Sequence, residues 1–139
     1  MYSGAGAAIF PGRWNEPGLR VIYASEHFST ALVEKLVYTL RLPPIQHYVQ
    51  IGIPESVSCR EWTIEDLPLG WDADDPTIAR SLGADWLRSN SSAILAVPSS
   101  VAPFERNVLI NPAHPDATRI DVGPETPVPW DRRLFPQSE

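Results

Sequence analysis

Apolar positions change their spacing several times along the 139-residue chain, and each change predicts an element. Ile45, His47, Val49, Ile51 and Ile53 alternate with Gln46, Tyr48 and Gln50, which predicts a strand over residues 45–53. Before it, Phe28, Leu32, Leu36 and Leu40, joined by Val33 and Val37, form a stripe at helical spacing. That stripe predicts a helix from an N-cap at Ser25 to about Leu40, stopped by Pro43 and Pro44. Glu34 falls on the opposite side of the helix, beside Thr30, Ala31 and Tyr38, where the pattern places it in solvent. Residues 19–24 have the β-branched and aromatic content of a short strand, with Tyr23 near its C-terminal end.

Farther on, residues 57–63 suggest a short strand carrying Cys59, and residues 67–74 an acidic loop around Trp71. Asp75 and Pro76 read as the start of a helix to about Ser89, with Ile78, Leu82 and Trp86 inward and Gly83 as a weak point. Residues 93–97, 108–110 and 120–122 complete the set of short strands. Short strands with two main helices predict an α+β fold: a single compact domain, residues 1–139, built on a curved mixed β-sheet with a few helices.

Composition narrows this picture. Fifteen prolines favour short elements joined by rigid turns over a helical bundle. A net charge of -6 argues against a nucleic-acid surface, which needs clustered Lys and Arg. No apolar run approaches the roughly 18 residues of a membrane helix, and the start lacks a signal-peptide pattern, so a cytoplasmic protein is expected. Cys59 is the only cysteine, which excludes an internal disulfide, and it is expected to be a small buried hydrophobe. His27, His47 and His114 lack the spacing of a zinc site, so no metal is expected.

Three polar side chains in unlike local settings stand out: Arg13 in a Gly/Trp/Asn-rich loop, Tyr23 at a strand end and Glu34 in a helix. A guanidinium that forks onto phosphate, an aromatic face with a hydroxyl and a carboxylate that stabilises positive charge would suit a dinucleotide with a cleavable glycosidic bond. Trp14 and Asn15 share the loop with Arg13, as shaping or substrate-binding residues. The GAGAA words near the start do not make a dinucleotide-binding fingerprint, since no strand precedes them and Pro11 follows. A serine-hydrolase reading fails for want of a nucleophile elbow.

The segment GAGAAIFPGRWNEPGLRVIYAS followed by ALVE resembles the core motif of the RES domain family, the toxins of bacterial RES/Xre toxin and antitoxin pairs. The block AILAVPSSVAPFERNVLINPAHPD, residues 93–116, and the closing WDRRLF are similar to later segments of that family. The resemblance implies an ADP-ribosyltransferase-like fold, NAD as the substrate and an Xre-type antitoxin as the partner. It places the family's catalytic arginine, tyrosine and glutamate on Arg13, Tyr23 and Glu34, and a family serine on Ser99, with Ser92 and Ser100 as competitors. It further implies NAD depletion by hydrolysis or phosphorolysis of the nicotinamide-ribose bond. Two alternatives are ADP-ribosylation of a cellular protein such as a phosphoribosyl-pyrophosphate synthetase, and a degenerate domain that only binds its antitoxin. Relatives carry an N-terminal strand with its own arginine before the Gly-x-Gly turn, whereas this sequence opens at Met1-Tyr2-Ser3-Gly4. A homodimer is a further expectation.

Overall fold

The computed structural model describes residues 2–39 and 41–136. In chain order the elements are α1 (Ala5–Ile9), β1 (Ile22–Ser25), α2 (Phe28–Leu36), β2 (His47–Tyr48), β3 (Ile51–Gly52), β4 (Cys59–Glu61), α3 (Thr77–Ser89), β5 (Ile94–Pro98), β6 (Arg106–Ile110), β7 (Asp121–Val122) and β8 (Thr126–Pro127). The main sheet has four strands in the order β1-β6-β5-β4. β6 runs antiparallel to both β1 and β5, and β4 runs parallel to β5, so the sheet is mixed and the fold is α+β, as the pattern predicts.

Side chains alternate across this sheet and bury both faces. Leu95, Val97 and Leu109 face α3 and join Trp14, Val21, Trp71, Ala79, Trp86 and Leu87 in one cluster. Ile22, Ile94 and Ile110 lie in one register row on the other face, packed with Val57, Ala93 and Ile120. The same alternation puts Tyr23, Ser25 and Asn107 on the face of Leu95 and Val97, because Tyr23 pairs with Leu109 and Ser25 with Asn107. The sheet therefore points a core row and a polar row the same way, one pair of residues apart.

Three expectations are corrected first. The alternating segment 45–53 does not enter the main sheet: it splits into β2 and β3, which pair with β8 and β7 as two-residue ladders. With only a narrow ribbon to pack on, Ile45 and Ile53 remain exposed. Cys59 is exposed rather than buried, since β4 is an edge strand. Helix α2 starts at Phe28, because Ser25 continues the β1 ladder and spends its hydroxyl on Asn107 instead of capping. Leu40, where the pattern ended the helix, lies outside the described residues.

The inward face of α3 is also shifted. Ala79, Gly83, Ala84, Trp86 and Leu87 are buried, whereas Ile78 is 40% exposed. Gly83 is the reason: a Cβ there would run into the backbone carbonyl of Trp14, so the helix can approach the 12–18 loop only with glycine at this point. A residue that costs helix propensity thus permits a close helix-to-loop approach in the core. The helix starts one residue later than expected, at Thr77 with Pro76 in the cap position, and the Asp75 carboxylate accepts from the Thr77 backbone N–H at 3.0 Å and from the Thr77 hydroxyl.

Candidate active site

The arginine loop is built from within. Asn15 is fully buried, and its Oδ1 accepts from the Gly12 N–H at 2.8 Å and from the Tyr23 hydroxyl at 2.6 Å. Its Nδ2 donates to the carbonyls of Ala7 and Leu19. The Tyr23 hydroxyl also accepts from the Trp14 N–H at 3.0 Å, and a Cβ on Gly12 would strike the Tyr23 ring. Burial pushes the Tyr23 pKa up to about 12, against the smaller opposing influence of the Trp14 N–H. The phenol is thus a neutral loop anchor at ordinary pH, although the residue as a whole is 40% exposed. Trp14 is buried and stacks on Trp71 with ring centres 5.9 Å apart. Trp14 and Asn15 therefore face inward, with no contact surface to offer, and shape the loop that carries Arg13.

Arg13 leaves that loop toward the acidic segment. Its Nη1 donates to the carbonyls of Trp71 at 3.1 Å and Ala73 at 2.8 Å. Behind it, Arg80 of α3 donates through Nε to the Gly12 carbonyl and through Nη2 to that of Pro11. Nothing in the spacing of Arg80 marked it for this, since the partners lie 68 and 69 residues away in sequence.

Helix α2 meets the site with the side that the apolar pattern assigned to solvent. Thr30 is buried, Glu34 is half-buried, and Phe28, Val33 and Val37 are exposed. Glu34 Oε1 accepts from the Ser99 hydroxyl at 2.7 Å and from Asn107 Nδ2 at 2.6 Å. Ser99, fully buried just past β5, accepts in turn from the Ala102 N–H. Asn107 Oδ1 accepts from Ser25 Oγ at 2.8 Å. Of the competing serines, Ser100 lines the cleft and Ser92 is buried at the other end of β5, bonded to Trp86 and Ile94. Asn107 is the residue that sequence reasoning missed; only its position opposite Ser25 in the ladder reveals it.

Arg13 and Glu34 line one cleft of about 310 Å³ together with Val37, Tyr38, Asp72, Asp74, Ser100 and Val101. Tyr23 is not on this lining; it braces the loop beneath Arg13. The cleft wall carries three carboxylates and one guanidinium, an arrangement suited to a ligand that is cationic at one end and anionic elsewhere. Among the described residues, no cluster of three or more His, Cys, Asp or Glu could hold a metal ion, and no helix is long and apolar enough to cross a membrane.

The RES domain model matches residues 1–131. The chain belongs to the RES domain family. It is 43% identical over 123 residues, covering 85% of this chain and 76% of the relative, to the Prs ADP-ribosylating toxin of Sphingobium sp. (strain YBL2). It is 34% identical over 137 residues, covering 96% of this chain and 92% of the relative, to a Toxin Res of Pseudomonas putida. A Toxin Res of Yersinia enterocolitica is 35% identical over 116 residues, covering 81% and 76% of the two chains. The arginine loop, the Glu34 helix and the Ser99 turn all fall inside the RES match.

Proposed function

We propose that this protein is a RES toxin that cleaves the bond between nicotinamide and ribose in NAD and so depletes NAD. The observation that carries this reading is Glu34: α2 leaves apolar side chains exposed and turns a carboxylate into the cleft that Arg13 shares. That choice forgoes burial of apolar area, worth about 25 cal/mol per Å², and sets a half-buried carboxylate against two donors, Ser99 and Asn107.

Cleavage breaks the bond from ribose C1′ to the ring nitrogen, and the bonding pair returns to the pyridinium, which leaves as neutral nicotinamide without a general acid. Positive charge then develops on the ribose as in glycoside hydrolysis. Oε1 of Glu34 is committed to Ser99 and Asn107, so Oε2 is the oxygen available to stabilise that charge or to hold a ribose hydroxyl. Arg13, with Nη1 fixed on the loop carbonyls, offers its remaining N–H edge to the pyrophosphate. Tyr23 acts in this reading by holding the Arg13 loop through the Trp14 N–H. Water or inorganic phosphate completes the reaction, losing one proton to solvent as it bonds to C1′.

Purified protein free of any antitoxin is expected to release nicotinamide from NAD, and Glu34→Ala to lower the rate about 100-fold or more. Intact NAD after incubation with the wild-type protein would refute the proposal. A second reading, favoured by the name of the 43% identical relative, makes a protein the acceptor of ADP-ribose. Labelled NAD incubated with bacterial lysate separates the two: a discrete labelled band supports transfer, and nicotinamide release with no labelled protein supports NAD breakdown. An Xre-type antitoxin would inhibit by covering the cleft mouth, where Val37, Tyr38 and Val101 are exposed. The reaction belongs in the cytoplasm, where NAD is available, and a second copy of the chain is a further partner to test by sedimentation.

A further inference from the structure

We infer that Asn107, itself outside the cleft lining, is a positioning residue that works with Ser99 to lock one oxygen of Glu34 in the frame of the sheet and present the other to substrate. The inference rests on the NAD-cleaving reading above and says how the carboxylate is aimed. Both bonds fall on Oε1, at 2.7 Å from Ser99 Oγ and 2.6 Å from Asn107 Nδ2, and none among the described residues falls on Oε2.

The donor accounting leaves little freedom. An ionised carboxylate only accepts, so Asn107 must turn its NH₂ toward Glu34 and its carbonyl oxygen toward Ser25. Ser25 Oγ then donates to that oxygen at 2.8 Å, which fixes the amide against flipping. Ser99 likewise directs its hydroxyl proton to Glu34, which has none to give, while its oxygen accepts from the Ala102 N–H at 3.0 Å. Each anchor sits on hydrogen-bonded backbone: Ser25 and Asn107 are a register pair of the β1/β6 ladder, Asn107 also pairs with Val97 of β5, and Ser99, just past β5, donates its N–H to the Glu105 carbonyl at 2.9 Å. Two paired strands and the turn after a third thus hold one oxygen of a helix-borne side chain. A catalytic group fixed by packed, hydrogen-bonded neighbours loses little freedom when it acts. Without Asn107 the carboxylate would keep one bond and could rotate about it.

The test measures nicotinamide release by the full chain as wild type, Asn107→Ala, Asn107→Asp and Ser25→Ala, with urea unfolding of each. Asn107→Ala is expected to lower kcat by about 10-fold to 100-fold with KM for NAD within about 2-fold, the signature of a group that matters in the transition state. Asn107→Asp keeps the shape but sets a second carboxylate against Oε1, so its loss at neutral pH is expected to be larger. A carboxyl donates only while it carries a proton, and a model Asp has a pKa of about 3.9. The activity of this variant relative to wild type should therefore climb as the pH falls toward about 5, a recovery that a purely structural role would not produce. Ser25→Ala should give a smaller kcat loss of the same kind, and it serves as the second variant if Asn107→Ala fails to fold. The proposal is overturned if wild type cleaves NAD while the Asn107 variants match it within about 2-fold, if the loss appears in KM alone, or if Asn107→Asp shows no recovery in acid. Wild-type protein that releases no nicotinamide defeats the NAD reading itself, and this proposal with it.

Discussion

The two ends of the main sheet each carry a carboxylate in a hydrogen-bonded network, and they differ in how completely the carboxylate is used. At the end where β5 stops and β6 starts, Glu34 is bonded through Oε1 alone and borders a cleft. At the opposite end, Asp116 accepts from the Ser58 N–H through Oδ2 at 2.9 Å and pairs with Arg119 through Oδ1 at 2.9 Å. The Ser58 hydroxyl in turn takes the Ala93 N–H, and His114 accepts from the Asp116 N–H at 3.0 Å. A carboxylate with both oxygens committed is a staple between turns; one with an oxygen to spare can do chemistry. Both carboxylates lie in segments that resemble the RES family, so motif membership alone does not separate them, whereas the count of unused lone pairs does.

The comparison is broken most directly by removing charge at each end. Glu34→Gln should reduce nicotinamide release by about 100-fold or more while shifting the urea midpoint little, because the amide oxygen can still accept from Ser99 and Asn107. Full activity in this variant would show that the spare oxygen is not the reacting one. Arg13→Lys comes next, with an expected loss of about 10-fold or more in kcat/KM, since an ammonium cannot hold the carbonyls of Trp71 and Ala73 and also fork onto phosphate. Steady-state kinetics with NAD check it, and an unchanged kcat/KM would remove Arg13 from the site.

Smaller effects concern stability. Gly83→Ala should destabilise the fold by about 1–3 kcal/mol in urea titrations, because the added methyl must push α3 off the Trp14 carbonyl despite its better helix propensity. A neutral or stabilising result would mean that the loop yields readily. Asp116→Asn should lower the urea midpoint modestly and leave the turnover of folded protein unchanged.

The pH dependence sharpens the same contrast. The hydrogen bond from the Ser58 N–H, with Arg119 adding to it, holds the Asp116 pKa down to about 2. Its contribution is therefore complete above the unfolded value of about 3.9 and lost as pH falls through about 2. Tyr23 behaves in the opposite sense. Burial raises its pKa to about 12, so its anchoring is complete below the unfolded value of about 10 and lost as pH rises toward 12. Urea midpoints measured across both windows should show Asp116→Asn flattening only the acid limb and Tyr23→Phe only the alkaline one.

Much of the architecture was readable from residue order alone. The strands of the core and a helix beginning just after Asp75 come from local composition, and the choice of Arg13, Tyr23 and Glu34 as candidates comes from likeness to RES motifs. Periodicity misled where it was strongest. The alternation over residues 45–53 reports a preference for extended backbone, but membership of the main sheet depends on which partner edge is free.

Tertiary structure decided the rest, for a physical reason that applies throughout the site. Which side of α2 faces inward could not be settled by its apolar stripe, because the neighbours it meets are Ser99 and Asn107, donors that a carboxylate satisfies and a leucine does not. The order of residues supplied the guanidinium, the phenol and the carboxylate. Partners 65 to 73 positions away determined that Glu34 would be held by one oxygen.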